Sequence, residues 1–327
     1  MRKYSISIVG CTGLVGKTLL KILEEESFPI SNLSFYASKK SEGKTLNFIG
    51  KDYKIKSLES NYQEIESDFV FFMTDSKISA TYIPKLKTKG YIIDNSSYFR
   101  LNKEIPLIIP EINFNKKLNG KIISNPNCTT AICALPINLI KNTYGITEIT
   151  LTSFQALSGC GKAGIECLKK QNNTNFFAYD ITKTVIPKIG KNLFNDYTEE
   201  ECKIIDEMRK ILNDYVLHIL PTCVRVPIEN CHCISLSLKL KSSFEIKDIY
   251  KLFSNIPYLK IMDDLDNDIY PNSIDASEKN QVFVGRIRKS MFDDTTLLLY
   301  VCGDNLRRGA AYNAYKIMEE IIKNDSM

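Results

Sequence analysis

Tyr4-Ser5-Ile6-Ser7-Ile8-Val9-Gly10-Cys11-Thr12-Gly13-Leu14-Val15-Gly16 decides the fold of this chain. Residues 4–9 alternate and end on apolar Ile8-Val9, the pattern of a buried strand. A turn spaced Gly10-x-x-Gly13-x-x-Gly16 follows, and then a helical run from Lys17 to Glu26 with Leu19, Leu20, Ile22 and Leu23 on its inner side. Strand, glycine turn and helix open a βαβ unit. The glycines let the backbone turn tightly and approach a pyrophosphate seated on the helix N-terminus. A plain strand–helix turn is the alternative, and the position after the first strand favours the dinucleotide reading.

Working outward, short apolar strands are expected at Leu33 to Ala37, Phe69 to Met73, Tyr91 to Asp94 and Lys121 to Ser124, several separated by helical stretches. This is the rhythm of a Rossmann-type, doubly wound parallel sheet in an α/β protein. After residue 127 the pattern changes. Thr147 to Leu157, His232 to Lys241 and Thr295 to Cys302 are longer strands with β-branched, alternating residues, which suit a mixed or mostly antiparallel sheet in a second, α+β domain. A last helix is expected over Arg308 to Lys323. The change of pattern alone divides residues 1–127 from residues 128–305.

The 327 residues suffice for two domains with their own cores. A net charge of +5 without a long basic run argues against nucleic acid and suits small anionic substrates. No apolar run approaches the ~18 residues of a membrane span, and no secretory signal pattern is seen at the start. Ten scattered cysteines in a chain of this size are expected to be reduced thiols in the cytoplasm.

Asn125-Pro126-Asn127-Cys128-Thr129-Thr130 places one cysteine after a Pro-Asn turn and before an apolar helical run. A thiol at a helix N-terminus faces backbone N–H groups and the positive end of the dipole, which favour the nucleophilic thiolate. Asn127 sets a side-chain amide beside it, suited to a developing oxyanion. The alternative is a buried structural cysteine. At the end of the second strand, Ala37-Ser38-Lys39-Lys40-Ser41-Glu42-Gly43-Lys44 has hydroxyls and cations near where an NAD site wants an acid for the ribose. That points to the 2′-phosphate of NADP, with a solvated basic loop as the alternative. Arg100 follows a strand end, suited to a phosphate or carboxylate, or else to a surface salt bridge. Gln155 is a polar side chain inside an apolar strand and needs a partner if buried, either a substrate or neighbouring backbone. Ser158-Gly159 follows in a small-residue loop that suits close approach to a cofactor. Glu200 and Lys203 share a helix face, and on that stretch alone they read as an ordinary surface ion pair. His218 sits in an apolar run and reads as a core residue. His232, at the start of an alternating strand after Arg225, is the better acid/base partner for Cys128. Cys231-His232-Cys233 does not make a metal site, because neighbours on a strand point to opposite faces and no second ligand pair has metal spacing.

These pieces, in this order and over nearly the whole chain, resemble the aspartate-β-semialdehyde dehydrogenase family. The likeness runs from the Gly10–Gly16 turn through 38–44, 93–100, 110–113, 124–130, 154–159, 197–203, 225–232 and 282–288 to Asp304-Asn305-Leu306-Arg307-Arg308-Gly309-Ala310-Ala311. It implies that Cys128 is the nucleophile and His232 the acid/base, with Gln155 orienting the acyl group. It implies that Arg225 grips the substrate α-carboxylate, Glu200 its ammonium, and Arg100 and Lys203 phosphate. It assigns Gly10, Thr12, Gly13, Leu14, Val15, Ser38, Lys40, Ser41, Ser158, Gly159 and Asn305 to NADP. It further implies a homodimer built on the second domain and a C-terminal helix, 306–327, that completes the first. The reaction implied is NADPH-dependent conversion of L-aspartyl-4-phosphate to L-aspartate-4-semialdehyde, in biosynthesis of lysine and diaminopimelate, threonine and methionine.

The chain departs from the family in places. Lys40 stands where arginine is usual, Cys11 puts an oxidisable thiol in the glycine turn, and Cys231 and Cys233 replace the glycine and serine beside the histidine. The stretch from Asn272 to Asn280 has no glycine where one is expected. The nearest rival is an N-acetyl-γ-glutamyl-phosphate reductase, whose substrate has no free ammonium for Glu200. Glyceraldehyde-phosphate dehydrogenase offers no α-carboxylate for Arg225. A cofactor-free thioesterase leaves the glycine turn without a role. A non-catalytic NADP-binding redox sensor is supported only by the cysteine count.

Overall fold

The computed structural model describes residues 2–115, 118, 120–169 and 176–325. Its strands are β1 Tyr4–Val9, β2 Ile30–Ala37, β3 Thr45–Phe48, β4 Lys51–Ser57, β5 Phe69–Phe72, β6 Tyr91–Asp94, β7 Ile122–Ser124, β8 Ile146–Gln155, β9 His218–Arg225, β10 His232–Leu240, β11 Leu259–Ile261, β12 Val282–Lys289 and β13 Thr296–Gly303. Its helices are α1 Leu14–Glu25, α2 Leu58–Asn61, α3 Ser76–Tyr82, α4 Pro110–Asn113, α5 Cys128–Tyr144, α6 Gly161–Lys169, α7 Glu199–Ile211, α8 Ile246–Ser254, α9 Ser273–Ala276 and α10 Tyr312–Asp325. The chain divides into two compact units, one of residues 1–126 with 310–327 and one of residues 127–309.

The first unit carries a seven-stranded sheet ordered β3-β4-β2-β1-β5-β6-β7. From β4 to β7 every pairing is parallel. The strand order reverses direction beside β1, which makes the crevice at the carboxyl ends of β1 and β5 the place where such sheets bind ligands. Alternate strand residues feed two cores, as strands buried on both faces require. Ile6, Ile8, Phe35 and Phe71 pack with Leu19, Ile22 and Leu23 of α1 and with Ala314, Ile317, Met318 and Ile321 of α10. Val9, Tyr36, Val70, Phe72 and Ile92 pack with Leu58 and Ile83 on the other face.

One edge departs from the expected all-parallel sheet. β3 pairs antiparallel with β4. They are joined by Ile49-Gly50 at φ 48° and 72°, the two positive angles a tight two-residue hairpin needs. Both strands are largely solvent-facing, so no apolar alternation announced them. The last helix begins later than expected. Residues Arg307–Ala311 form a wide, π-type turn, and α10 starts at Tyr312.

The second unit has a six-stranded mixed sheet, ordered β11-β12-β13-β10-β8-β9. β10 is antiparallel to both β13 and β8, while β8–β9 and β11–β12 are parallel. α5 packs on this sheet and is buried along nearly its whole first three turns, from Thr129 to Ile137. The expected boundaries, after residues 127 and 305, shift slightly. Asn127 bonds to side chains of α7, and Gly309 packs on Cys128, so both belong to the second unit. His218 is not a core residue. It opens β9, the outermost strand, with its side chain on the exposed face of an in–out alternation.

Candidate active site

The first residue of α5 is Cys128, and the residue before it caps the helix. Asn127 Oδ1 accepts the N–H groups of Thr129 at 2.9 Å and Thr130 at 3.3 Å, the bonds that satisfy a helix start. The same amide donates through Nδ2 to Glu200 Oε1 at 2.9 Å. The side chain expected to hold an oxyanion is thus primarily a cap and a link to α7. Cys128 Sγ lies 3.2 Å from Nε2 of His232, the first residue of β10. The other ring nitrogen, Nδ1, accepts the backbone N–H of Ala156 at 3.1 Å. A backbone N–H can only donate, so Nδ1 carries no proton and the neutral ring holds its hydrogen on Nε2, facing the sulfur. Complete burial and the nearby Arg225 charge push the His232 pKa down to about 3.

Around this pair the ends of β8 and β9 and the start of α7 bring together three of the expected substrate residues, Gln155, Arg225 and Glu200. Gln155 ends β8 and Arg225 ends the neighbouring β9, in direct register. Gln155 is buried, and Nε2 donates to Ser153 Oγ and to Glu200 Oε1, each at 3.2 Å, so its partners are side chains rather than backbone. Arg225 is buried and Nη1 donates to Ala156 O at 2.7 Å. The backbone of one residue, Ala156, thereby holds both the arginine and the histidine ring. Glu200 is 9% exposed and is not the partner of Lys203. The ion pair of that stretch joins Lys203 to Glu199 at 2.7 Å. Gly159 lies against the Arg225 guanidinium and the His232 ring. Ser158 and Asn305 hydrogen-bond each other at 2.9 Å, and Asn305 Oδ1 accepts the N–H of Cys231.

In the first unit the glycine turn lies at the carboxyl end of β1. Gly10 has φ 84°, and a Cβ there would sit 2.3 Å from Met73 O. Gly13 is the N-cap of α1 and offers no side-chain cap, nor does the first turn carry an acid. Thr12 lines an adjacent cavity of about 360 Å³ with Gly10, Ser38, Lys39, Glu59, Thr74 and Asp75 among its walls. Leu14 and Val15 form the start of α1, and Lys40 and Ser41 continue a short 3-10 turn begun by Lys39. A bare helix N-terminus beside a cavity, with a turn that excludes a Cβ, fits a dinucleotide pyrophosphate. Arg100 is 7% exposed, so it is not a surface salt bridge; Nη2 donates to Asn95 O at 2.7 Å. Among the described residues no three His, Cys, Asp or Glu side chains are arranged for a metal ion.

Two family models match the chain. One is the semialdehyde dehydrogenase NAD binding domain, over residues 5–120, and the other the semialdehyde dehydrogenase dimerisation domain, over residues 138–308. Aspartate-semialdehyde dehydrogenase of Helicobacter pylori strain J99 is 37% identical, over 99% of this chain and 100% of the relative. The Aquifex aeolicus enzyme of the same name is 36% identical, over 98% of each. The crystal structure of aspartate semialdehyde dehydrogenase II from Vibrio cholerae, complexed with ASA, is similar at a TM-score of 0.91 and 31% identity, over 99% of each chain.

The chain belongs to the aspartate-semialdehyde dehydrogenase family.

Its departures from the family pattern now have structural readings. Cys231 takes φ 74°, the left-handed region that favours the glycine usual in the family. Glu278 likewise takes φ 61° in the stretch where a family glycine was expected. Cys11 is buried, and burial pushes its thiol up to about 12, which disfavours the reactive thiolate in the turn. Site residues that the sequence did not single out also appear. Cys160 lies beside Arg225. Gly309 admits no side chain, because a Cβ would lie 2.8 Å from that of Cys128. Glu207 is 1% exposed and accepts the Asn127 backbone N–H at 2.6 Å. The local sequence holds no signal for Glu207 beyond its place seven positions after Glu200 on one helix face.

Proposed function

We propose that this chain carries out the family reaction through Cys128: NADPH-dependent reductive dephosphorylation of L-aspartyl-4-phosphate to L-aspartate-4-semialdehyde. The product feeds biosynthesis of lysine and diaminopimelate, threonine and methionine. The observation that carries the assignment is the thiol at the start of α5, 3.2 Å from His232 Nε2 and backed by the buried Gln155, Glu200 and Arg225.

The Cys128 thiolate attacks the acyl carbon. The C–O bond to phosphate breaks, phosphate leaves, and a thioester forms, which divides one hard step into two. When bound, NADPH supplies the hydride that reduces the thioester carbon. The Nε2–H of His232 hydrogen-bonds first to the thiolate and then to the oxygen that gains charge as the thioester is reduced, and stays on the ring when the thiolate is expelled. The C–S bond then breaks, the aldehyde departs and the thiolate returns. Arg225 holds the α-carboxylate. Asn127 and Gln155 both donate to Glu200 Oε1, so the substrate ammonium donates to Oε2. Gln155 orients the acyl group, and Arg100 and Lys203 hold phosphate.

NADP is favoured over NAD because β2 ends at Ala37 and leads into Ser38 and Lys39 at the cavity wall, with no acid from Ala37 to Ser41. Lys40 and Ser41 extend the same basic turn, and Ser158, Gly159 and Asn305 are assigned to the nicotinamide side. Residues 1–126 with 310–327 serve as the NADP-binding domain, and 127–309 as the catalytic and dimerisation domain of a homodimer. The cytoplasm, where its ten free thiols stay reduced, is the place of action. The test is NADP⁺ reduction by aspartate semialdehyde with and without inorganic phosphate, beside N-acetylglutamate semialdehyde. Phosphate-dependent NADPH formation with the aspartyl substrate alone is expected. Turnover of the acetylated substrate alone would replace this reading with the acetylglutamyl one and remove the ammonium role of Glu200.

A further inference from the structure

Glu207 is a buried carboxylate that the steps above do not use. It lies two turns after Glu200 on α7, so both side chains leave one helix face. Both reach the same residue. Glu207 Oε2 accepts the Asn127 backbone N–H at 2.6 Å, and Glu200 Oε1 accepts the Asn127 side-chain amide at 2.9 Å. The third function of Asn127, its Oδ1, caps the start of α5. All the hydrogen-bonding groups that set the entry into α5 are therefore engaged, and α7 supplies two of the partners.

The N–H of an N-cap residue is commonly taken by a Glu or Gln three positions further along the same helix. In α5 that position is Thr130, whose hydroxyl has no hydrogen-bond partner among the described residues. Glu207 fills the role from another helix, with an acceptor oxygen 2.6 Å from the Asn127 nitrogen. We infer that Glu207 is a positioning residue for the nucleophile. Holding the Asn127 N–H fixes the peptide plane that leads into α5, and with it the place from which Cys128 presents its sulfur to His232. The inference rests on Cys128 being the nucleophile. It concerns reach and acceptor geometry, and a carboxylate that merely ties two helices together would behave differently.

Glu207→Gln keeps an acceptor oxygen at the same reach and removes the charge. Glu207→Asp keeps the charge and withdraws the oxygen by one methylene. Both are compared with the wild-type full chain and with Cys128→Ser. The readouts are kcat and KM for phosphate-dependent NADPH formation, and the rate of Cys128 alkylation by iodoacetamide, followed on the Cys128 peptide by mass spectrometry. Glu207→Gln is expected to stay within about threefold of wild type in kcat, and Glu207→Asp to fall about tenfold or more with KM nearly unchanged, because a displaced reacting group costs turnover rather than binding. Alkylation should slow in Asp and not in Gln. The inference fails if Asp is the milder change, if both variants match wild type, if both are equally impaired, or if KM alone moves. Wild-type turnover in Cys128→Ser would overturn the nucleophile assignment instead, and the alkylation rates would still report whether Glu207 places that thiol.

Discussion

The starts of α5 and α7 solve one problem in two ways. Each helix has a polar N-cap, and in each a glutamate accepts the N-cap backbone N–H. In α7 the arrangement is local: Thr198 Oγ1 accepts the Glu201 N–H at 3.4 Å, and Glu201 Oε2 accepts the Thr198 N–H at 2.7 Å. In α5 the glutamate is Glu207, eighty positions away in sequence. The first helical residues differ as well. Glu199 of α7 pairs with Lys203 in a part-exposed ion pair, whereas Cys128 of α5 faces the buried His232. A local cap makes a helix. A cap supplied by tertiary structure makes a helix start whose position is tied to the rest of a site.

The largest expected effect tests whether the first residue of α5 does chemistry. Cys128→Ser should lower kcat by roughly 10³-fold or more while NADPH binding, followed by fluorescence, stays near wild type. Near-normal turnover would erase the contrast with Glu199.

His232 comes next. Replacing it with Asn should lower kcat about 10²-fold, the lower end of what a positioned acid/base supplies. The substitution should also alter the pH dependence of stability. The folded-state pKa, about 3, lies below the ordinary 6.5. Below 6.5 the unfolded chain takes up a proton that the folded chain refuses, so this contribution is complete above that value and declines as pH falls toward 3. Thermal melts should show Tm falling on the acid side in wild type and less steeply in His232→Asn. Equal slopes would mean that the ring is not buried neutral.

The two caps themselves follow. Asn127→Ala is expected to cost about 1–2 kcal/mol of stability and about tenfold in kcat, because it also removes one of the two amides that hold Glu200 Oε1. Thr198→Ala should cost about 1 kcal/mol of stability by denaturant melts with kcat within about twofold. If the two variants lose activity alike, the distinction between a structural and a site-bearing helix start collapses. The smallest effect belongs to Glu199→Gln. Its part-exposed ion pair is worth at most about 0.5 kcal/mol, less at high salt.

Much of this molecule was legible because its signals are local. A strand, three spaced glycines and an amphipathic run within Tyr4 to Glu26 require only neighbours along the chain to be read. So does Cys128 after Pro126-Asn127, and so does the apolar stripe of α10. The reading failed where the determining contact came from elsewhere. His218 looked like a core residue among Val216, Leu217, Ile219 and Leu220, but β9 is an edge strand and alternate residues on it face outward. The β3–β4 hairpin was hidden because both strands are mostly exposed. Glu200 read as a surface charge, and Lys203 found its partner in Glu199 instead.

Sequence alone determined that the chain folds around a dinucleotide-type βαβ opening and that a cysteine suited to be a nucleophile begins a helix. These follow from short-range sterics, periodicity and helix-end electrostatics, which need no partner from afar. Tertiary structure alone decided which ring nitrogen of His232 faces the sulfur, because the Ala156 N–H claims the other. It also decided that Glu207 holds Asn127, because only packing brings α7 against the start of α5. Hydrogen bonds of that kind are fixed by the direction of a donor in space, and sequence spacing carries no record of it.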